Sequence, residues 1–370
     1  MKIGIDATSL CRRITGIEYY TLNLIKNILE MDKENEYVIL FRKEIHPELM
    51  KFRGIGKFLI CPINNQIFCE QIWLPYISWK EGLDLIHFPA FPPGLFFFKK
   101  HIVTIHDATI WKYPHTLSWK GRFYMRPLTI LASKRAEMII TPSENSKREI
   151  IEYAKVREEK VVNTKEGIDE RFMPIKQKDR LEEIRKKYGL PIRFILSVCS
   201  LEPRKNLLTL IEAYKILRDK DPNLRLVLVG RKAWGNDAIL RRIEELGLKD
   251  ELFLTGYIPI EDLVYIYNLA ELFVYPSIYE GFGLPPLEAM ACDCPVITSN
   301  TSSLPEVVGD AAILVDPLDV DNLSESIYRV LNDEYLKKAI RCRGIERVKE
   351  FSWEKSVRET LRVYKKVSLG

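Results

Sequence analysis

Along most of the chain, short apolar runs rich in β-branched residues alternate with longer stretches in which apolar positions recur every three or four residues. The short runs predict strands and the longer ones amphipathic helices. Because the runs are apolar throughout, both faces of each strand are expected to be covered, as in parallel sheets flanked by helices. A first set of strands is predicted at 2–6, 37–42, 57–61, 85–88, 101–106, 137–141 and 161–164. Between the first two lies a helix whose Ile17, Tyr20, Leu24, Ile25 and Ile28 share one face. The rhythm breaks at "GIDERFMPIKQKDR" (167–180), where Pro174 and a charged run intervene. It resumes with strands predicted at 193–199, 225–229, 252–254, 272–275, 295–298 and 312–315. The helix after the first of these carries Leu207, Leu210, Ile211, Tyr214 and Leu217 on one stripe. Two α/β domains follow, 1–174 and 175–350. A last helix in 351–370, with Trp353, Val357, Leu361 and Tyr364 on one face, comes after the second sheet is complete and is expected to pack back on the first domain.

At 370 residues the chain is long enough for two cores. Its 46% hydrophobic and 29% charged residues are those of a globular enzyme, not a disordered chain. A net charge of +5 favours anionic ligands or an acidic membrane surface, but no Lys/Arg block tracks a nucleic-acid backbone, so nucleic acid is not an expected partner. The seven cysteines form no CxxC pair and no Cys/His cluster at zinc spacing, which fits a reducing, cytoplasmic compartment. Asp6 cuts the first apolar run short, so no secretory signal is expected, and no uncharged apolar run reaches the ~18 residues of a membrane span. The most apolar stretch, "LIHFPAFPPGLFFF" (85–98), is broken by three prolines and Gly94.

The candidate chemistry lies mainly in the second half. "LFVYPS" reads as a strand, "PLEAMAC" as a helix, and "YEGFGLPPLEAM" (279–290) joins them with Glu280 in the loop and Glu288 about a turn into the helix. Ligands of open α/β sheets bind where strands end and helices begin. Glycines there let backbone approach a ligand, and carboxylates accept hydrogen bonds from sugar hydroxyls. In "LEPRKN" (201–206), Arg204 and Lys205 stand at the start of a helix, where two cations and free N–H groups can hold a diphosphate; the alternative is a solvated turn. Acids flanking a phosphate-binding turn suggest a nucleotide sugar. No G-x-G-x-x-G or Walker A loop is present. "DVD" (319–321) reads as a helix cap rather than a metal site, and no metal ligands are assigned. His106, at the end of a predicted strand and followed by Asp107, reads as a sugar contact, with local hydrogen bonding as the alternative.

These segments resemble a retaining glycosyltransferase of the GT-B fold, specifically glycosyltransferase family 4, whose E-x7-E motif matches "EGFGLPPLE". The likeness also runs through "TGIEYY", "VTIHD", "RAEMIITPSENSKREI", "EGIDERFMP", "SLEPRKN", "VGRKAWGND", "TGYIP" and "SLPEVVGDAAILVDP", in order along nearly the whole chain. The resemblance implies two Rossmann-like domains facing across a cleft, the first for the acceptor and the second for the donor. It implies that Glu288 accepts hydrogen bonds from the donor ribose, that Glu280 faces the transferred sugar, and that backbone around Phe282, Gly283 and Leu284 contacts sugar and phosphates. Arg204 and Lys205 would clamp the leaving diphosphate, and Gly16 would let a loop of the first domain approach it. The loop Gly230–Gly235, with Arg231, and the segment Gly256, Tyr257 and Ile258 would shape the nucleotide pocket. Where many relatives have an arginine in a G-R-L pattern, this chain has Ser200-Leu201, and that role passes to Arg204.

The implied reaction moves a sugar from a nucleoside diphosphate to a hydroxyl of a glycan or lipid-linked glycan, with no cofactor beyond the donor itself. The "EPRKN" and "GRKAWG" elements resemble those of mannosyl-transferring members and point to GDP-mannose, with UDP-sugars next. A nucleotide-sugar epimerase or hydrolase of the same architecture, or a non-catalytic nucleotide-sugar-binding subunit, are the alternatives. "GLFFFKKH" (94–101) puts phenylalanines beside lysines, which reads either as a peripheral contact with the inner face of the membrane or as a buried strand edge.

Overall fold

The computed structural model describes residues 1–10, 16–114, 121–231 and 237–369. The chain forms two compact units, one of residues 1–167 with 352–370 and one of residues 168–351. The first is built on a seven-stranded sheet: β1 (Lys2–Asp6), β2 (Glu36–Phe41), β3 (Lys57–Ile60), β4 (Leu85–Phe88), β5 (His101–Thr104), β6 (Met138–Thr141) and β7 (Val161–Asn163). Its order is β3-β2-β1-β4-β5-β6-β7 and every pairing is parallel. Strand order reverses between β1 and β4. The helix Ile17–Met31 follows β1 and buries Tyr20, Leu24, Ile25 and Ile28.

The last helix, Trp353–Leu369, completes this first unit. Trp353 packs beside Tyr19 and Tyr20, with ring centroids 6.5 and 5.7 Å away. Tyr364 Oη lies 2.7 Å from His87 Nδ1, and His87 Nε2 lies 2.8 Å from Thr104 Oγ1. Burial, with the neighbouring charge of His106, pushes His87 down to about 3, so the ring is neutral and this buried chain links neutral groups. Gly167 is required by the same packing, since a Cβ there would stand 2.2 Å from the Trp353 backbone nitrogen.

The second unit carries a six-stranded parallel sheet: β8 (Phe194–Val198), β9 (Arg225–Val229), β10 (Leu252–Gly256), β11 (Leu272–Tyr275), β12 (Val296–Ser299) and β13 (Ile313–Val315), in the order β10-β9-β8-β11-β12-β13. Its reversal lies between β8 and β11. The change of unit falls after Gly167, ahead of the 174/175 boundary expected from the charged run. Phe172 explains the difference: it is buried in the second core with its ring 5.8 Å from that of Tyr267, and Ile175 N donates to Asn268 Oδ1 at 2.7 Å.

Candidate active site

β8 and β11 are paired at the reversal of the second sheet, so the loops leaving their carboxyl ends are neighbours. After β8, Pro203–Lys205 make one turn of 3-10 helix, with Lys205 N donating to Glu202 O at 3.0 Å. Asn206 follows at φ 55°, a left-handed conformation that asparagine tolerates, and its side-chain amide donates to Pro317 O. Leu207–Lys220 then continues as a helix. The loop after β11 is tied to this turn: Ile278 N donates to Arg204 O at 2.9 Å, and Ser277 Oγ lies 3.2 Å from the same oxygen.

This lacing brings Arg204, Lys205 and Glu280 into one cluster. Glu280 Oε1 accepts from Lys205 Nζ at 2.6 Å, Tyr275 Oη at 2.9 Å and Ser277 Oγ at 2.6 Å. Glu280 Oε2 accepts from Arg204 Nη1 at 3.2 Å, and the same guanidinium reaches Tyr279 O at 2.7 Å and Glu202 Oε1 at 3.0 Å. Both Glu280 and Lys205 are buried. Burial alone would raise the Glu280 carboxyl, but the charges of Lys205 and Arg204 outweigh it and hold the group at about 2. Three donors use up Oε1, while Oε2 keeps a lone pair for a further donor. From the next loop, Ser302 Oγ accepts from Glu280 N at 2.9 Å, and Ser303 Oγ, 2.6 Å from Phe282 O and 2.9 Å from Glu280 O, shares its proton between these carbonyls. Cations, carboxylate and backbone are therefore fixed in place by groups that make them a single polar unit.

Glu288 stands apart from that cluster. Its Oε2 accepts from Tyr267 Oη at 2.8 Å, and burial lifts its carboxyl to about 7, a rise the Tyr267 hydroxyl moderates and the charge of Asp169 reinforces. The folded protein thus binds this proton more tightly than the unfolded chain. Stability from it is complete below the ordinary carboxylate range and is lost as pH rises toward 7. At 1.36 kcal/mol per pKa unit the loss is roughly 3 kcal/mol. Glu288→Gln, which stays neutral, should raise the thermal midpoint at pH 8 and leave it nearly unchanged at pH 5. A variant that gains nothing at pH 8 would show that Glu288 is not held against ionisation.

Gly283 opens the helix Leu284–Ala291 at φ 117°, and a Cβ there would meet Leu304 Cδ2 at 2.7 Å. Pro285 and Pro286 carry no N–H, so of the first helical turn only Leu284 and Leu287 can donate to a ligand. Phe282 is buried against Phe351, ring centroids 5.8 Å apart, which leaves its backbone as the part with polar reach. Gly230, at φ 150°, comes so close to β8 that a Cβ would stand 1.8 Å from Cys199 O; its N–H donates to Gly256 O at 2.9 Å, and Arg231 O accepts from Leu201 N at 3.1 Å. These bonds set the carboxyl ends of β8, β9 and β10 side by side. Tyr257 is half exposed and Ile258 is buried in the core. The remainder of the Gly230–Gly235 loop, from residue 232, lies outside the described residues.

In the first unit, Gly16 caps the helix Ile17–Met31 at φ 43°, with nothing within 4 Å of where a Cβ would stand. His106 lies just past the end of β5. Its Nε2 is 2.8 Å from Pro89 O, a carbonyl that can only accept, so Nε2 carries a proton. Its Nδ1 is 3.4 Å from Oε1 of Glu166, which is buried, and its ring meets Tyr20 edge-on at 4.8 Å. Burial would lower the imidazole, but the Glu166 carboxylate, the Pro89 carbonyl and Asp107 together raise it above the ordinary histidine range. Both ring nitrogens of His106 are thus taken by protein groups, and its charge and carbon edge are what it can offer a ligand. Glu166, Tyr275, Ser277, Tyr267 and Ser302 were not singled out in the sequence. Tyr275 and Ser277 could have been found from their place at the end of the strand that leads into the glutamate motif.

Among the described residues, no group of three or more His, Cys, Asp or Glu side chains is arranged to hold a metal ion. Asp319 caps the helix Val320–Asn332, its Oδ1 accepting from Asn322 N at 2.9 Å.

The same architecture occurs in sucrose-phosphate synthase from Thermosynechococcus elongatus, with a TM-score of 0.80 at 21% identity over 100% of this chain and 99% of that one. It occurs again in Anabaena HepE in complex with UDP and glucose, with a TM-score of 0.77 at 17% identity over 99% of this chain and 100% of that one. Two doubly wound parallel-sheet units of this kind are the GT-B fold. The family "Glycosyl transferases group 1" matches residues 181–347 and "Glycosyltransferase Family 4" matches residues 14–172. O-antigen chain mannosyltransferase B of Escherichia coli is 36% identical over 99% of this chain and 100% of its own length. The chain belongs to glycosyltransferase family 4.

Proposed function

We propose that the protein transfers mannose from GDP-mannose, with retention, to a hydroxyl of a growing glycan or lipid-linked glycan. The observation that carries the chemistry is the buried Arg204, Lys205 and Glu280 cluster at the strand reversal of the second sheet. Its two cations supply the positive charge that a departing nucleoside diphosphate needs, already oriented by Glu280, Tyr275 and Ser277. The choice of mannose rests on the likeness to the O-antigen chain mannosyltransferase. Glu288 takes the ribose hydroxyls, backbone at Phe282, Gly283 and Leu284 meets sugar and phosphates, and Gly230, Arg231, Tyr257 and Ile258 border the base. In the first unit, His106 meets the sugar and Gly16 lets its loop approach the diphosphate.

In the reaction, the bond between the anomeric carbon and the phosphate oxygen breaks as the acceptor oxygen bonds to the same face of the sugar. The acceptor proton passes to the leaving phosphate, and no side chain forms a covalent intermediate. Thermal shift against GDP-mannose, GDP, UDP-glucose and UDP tests the donor: a ligand at ~100 times its Kd stabilises by about 2.7 kcal/mol. GDP-mannose should give the largest shift and, with acceptor present, a product whose anomeric configuration matches the donor's. A larger shift with UDP-glucose would overturn the donor assignment, and an inverted product would overturn retention.

A further inference from the structure

The stretch Gln66–Lys80 is helical throughout, with a π-helical turn at Cys69–Trp73 between two α-helical segments. One side is packed into the first unit through Cys69, Trp73, Leu74 and Ile77. The other side is apolar as well, yet uncovered: Ile67, Phe68, Ile72, Tyr76 and Trp79 are all more than half exposed, Trp79 at 73%. A helix that faces water on one side ordinarily shows it a polar stripe. This one does not.

The exposed side continues into two neighbouring segments. Gly94 is pressed against Gln71, whose amide would lie 2.8 Å from a Cβ there, and Gln71 Nε2 donates to Tyr124 Oη at 3.2 Å. Arg135 Nη1 donates to Leu95 O at 2.8 Å and stacks over the Phe98 ring at 5.0 Å. Of the phenylalanines after Gly94, Phe97 is buried, whereas Phe96 and Phe98 are exposed at 65% and 75%, as is Phe123 at 72%. The buried-edge reading of this loop therefore holds for Phe97 alone.

Charge is gathered on the same segments. Across 66–80, 94–100 and 123–135 the cations are Lys80, Lys99, Lys100, Arg126, Lys134 and Arg135, and the sole acid is Glu70. Six less one is +5, the net charge of the entire chain. Exposed aromatics ringed by unopposed cations match an anionic bilayer, in which rings enter the interface and ammonium and guanidinium groups meet lipid phosphates. A second protein surface would meet the rings but gives no reason for so one-sided a charge. The segments run back along the sheet to the amino ends of β4, β5 and β6, where Lys99 Nζ donates to Leu83 O and Lys100 O accepts from Ile86 N, whereas His106 lies past the carboxyl end of β5.

We propose that the face formed by Gln66–Lys80, residues 94–100 and residues 123–135 docks the protein on an anionic membrane, with Trp79, Phe96, Phe98 and Phe123 in the lipid interface and Lys100 and Arg126 on its headgroups. None of the described helices is long and apolar enough to cross a membrane, so the contact is one-sided.

Sedimentation of the full chain with phosphatidylcholine vesicles, with and without phosphatidylglycerol, tests the proposal. Binding should be at least roughly tenfold stronger to the anionic vesicles, and salt should weaken it. Lys100→Glu with Arg126→Glu should abolish that preference. Trp79→Ser with Phe98→Ser and Phe123→Ser should lower binding to the anionic vesicles by about tenfold or more. Since these side chains are exposed, the thermal midpoints of the variants should stay at the parent value. Absence of binding to anionic vesicles would overturn the proposal, as would aromatic variants that bind as tightly as the parent. A parent dimer that fails to bind vesicles and that the aromatic substitutions disperse would assign the face to a second copy instead.

Discussion

Lys205→Ala should lower glycosyl transfer by a hundredfold or more, about 2.7 kcal/mol in the barrier, and should also destabilise the protein by about 3–5 kcal/mol. The two effects have different origins. Turnover falls because a fixed cation is missing when the diphosphate leaves. Stability falls because Glu280 keeps its buried carboxylate after losing the ammonium 2.6 Å away. A second substitution separates them. In Lys205→Met with Glu280→Gln no buried charge lacks its partner, so most of the stability should return while transfer stays low. Near-normal transfer in the double variant would remove the cluster from the mechanism. The pH dependence adds a check: the Glu280 carboxyl, held at about 2 against 4.5 ordinarily, stabilises the fold above the ordinary range, and that contribution is lost as pH falls from about 4.5 to about 2. The acid limb of the stability curve should therefore flatten in the double variant.

His106→Ala should leave nucleoside diphosphate affinity within about threefold, roughly 0.65 kcal/mol, and depress transfer tenfold or more. Arg204, Lys205, Glu280 and Glu288 all belong to the second unit, so a bare nucleotide keeps its contacts when His106 is gone. Titration with nucleoside diphosphate beside initial rates decides the matter, and parallel losses would move His106 into nucleotide binding. Glu166→Gln is the companion variant. The carboxylate raises the imidazole above the ordinary histidine range, so the stabilisation from that proton is complete below about pH 6.5 and lost as pH rises through the raised value. With glutamine at 166 this loss should occur at lower pH, and the alkaline limb of the rate profile should shift the same way. A rate profile identical to the parent's would limit Glu166 to a structural role.

The strands were legible from the sequence because a fully buried parallel strand is an unbroken apolar run, and each of β1 to β13 falls within a residue or two of its predicted span. Arg204, Lys205 and Glu280 were legible as types at the ends of strands. Their contact was not, because it depends on β8 pairing with β11, strands separated by more than seventy residues of chain. The depressed Glu280 and raised Glu288 carboxyls follow from surroundings that no local pattern encodes: one lies between two cations, the other beside a tyrosine hydroxyl in a largely apolar setting. Glu166 was invisible for a simpler reason. It is sixty positions from His106, in a segment that reads as a turn. The exposed face of Gln66–Lys80 was hidden by its own hydrophobicity, since apolar residues all round a short helix ordinarily mean a core.

Trp353 and Tyr364 fill the first unit, yet they are synthesised after every residue of the second. On the ribosome, the second unit can reach its native sheet as soon as its strands emerge, whereas the first must wait, His87 without Tyr364 and Tyr20 without Trp353, until the helix Trp353–Leu369 has followed. Folding thus runs counter to the usual vectorial order, in which amino-terminal domains finish first. A chain cut after Phe351 would hold a complete second unit joined to an unfinished first one, with an apolar groove where the helix belongs. In the cell such a fragment should be retained by chaperones or degraded, although every residue of its glutamate motif is present.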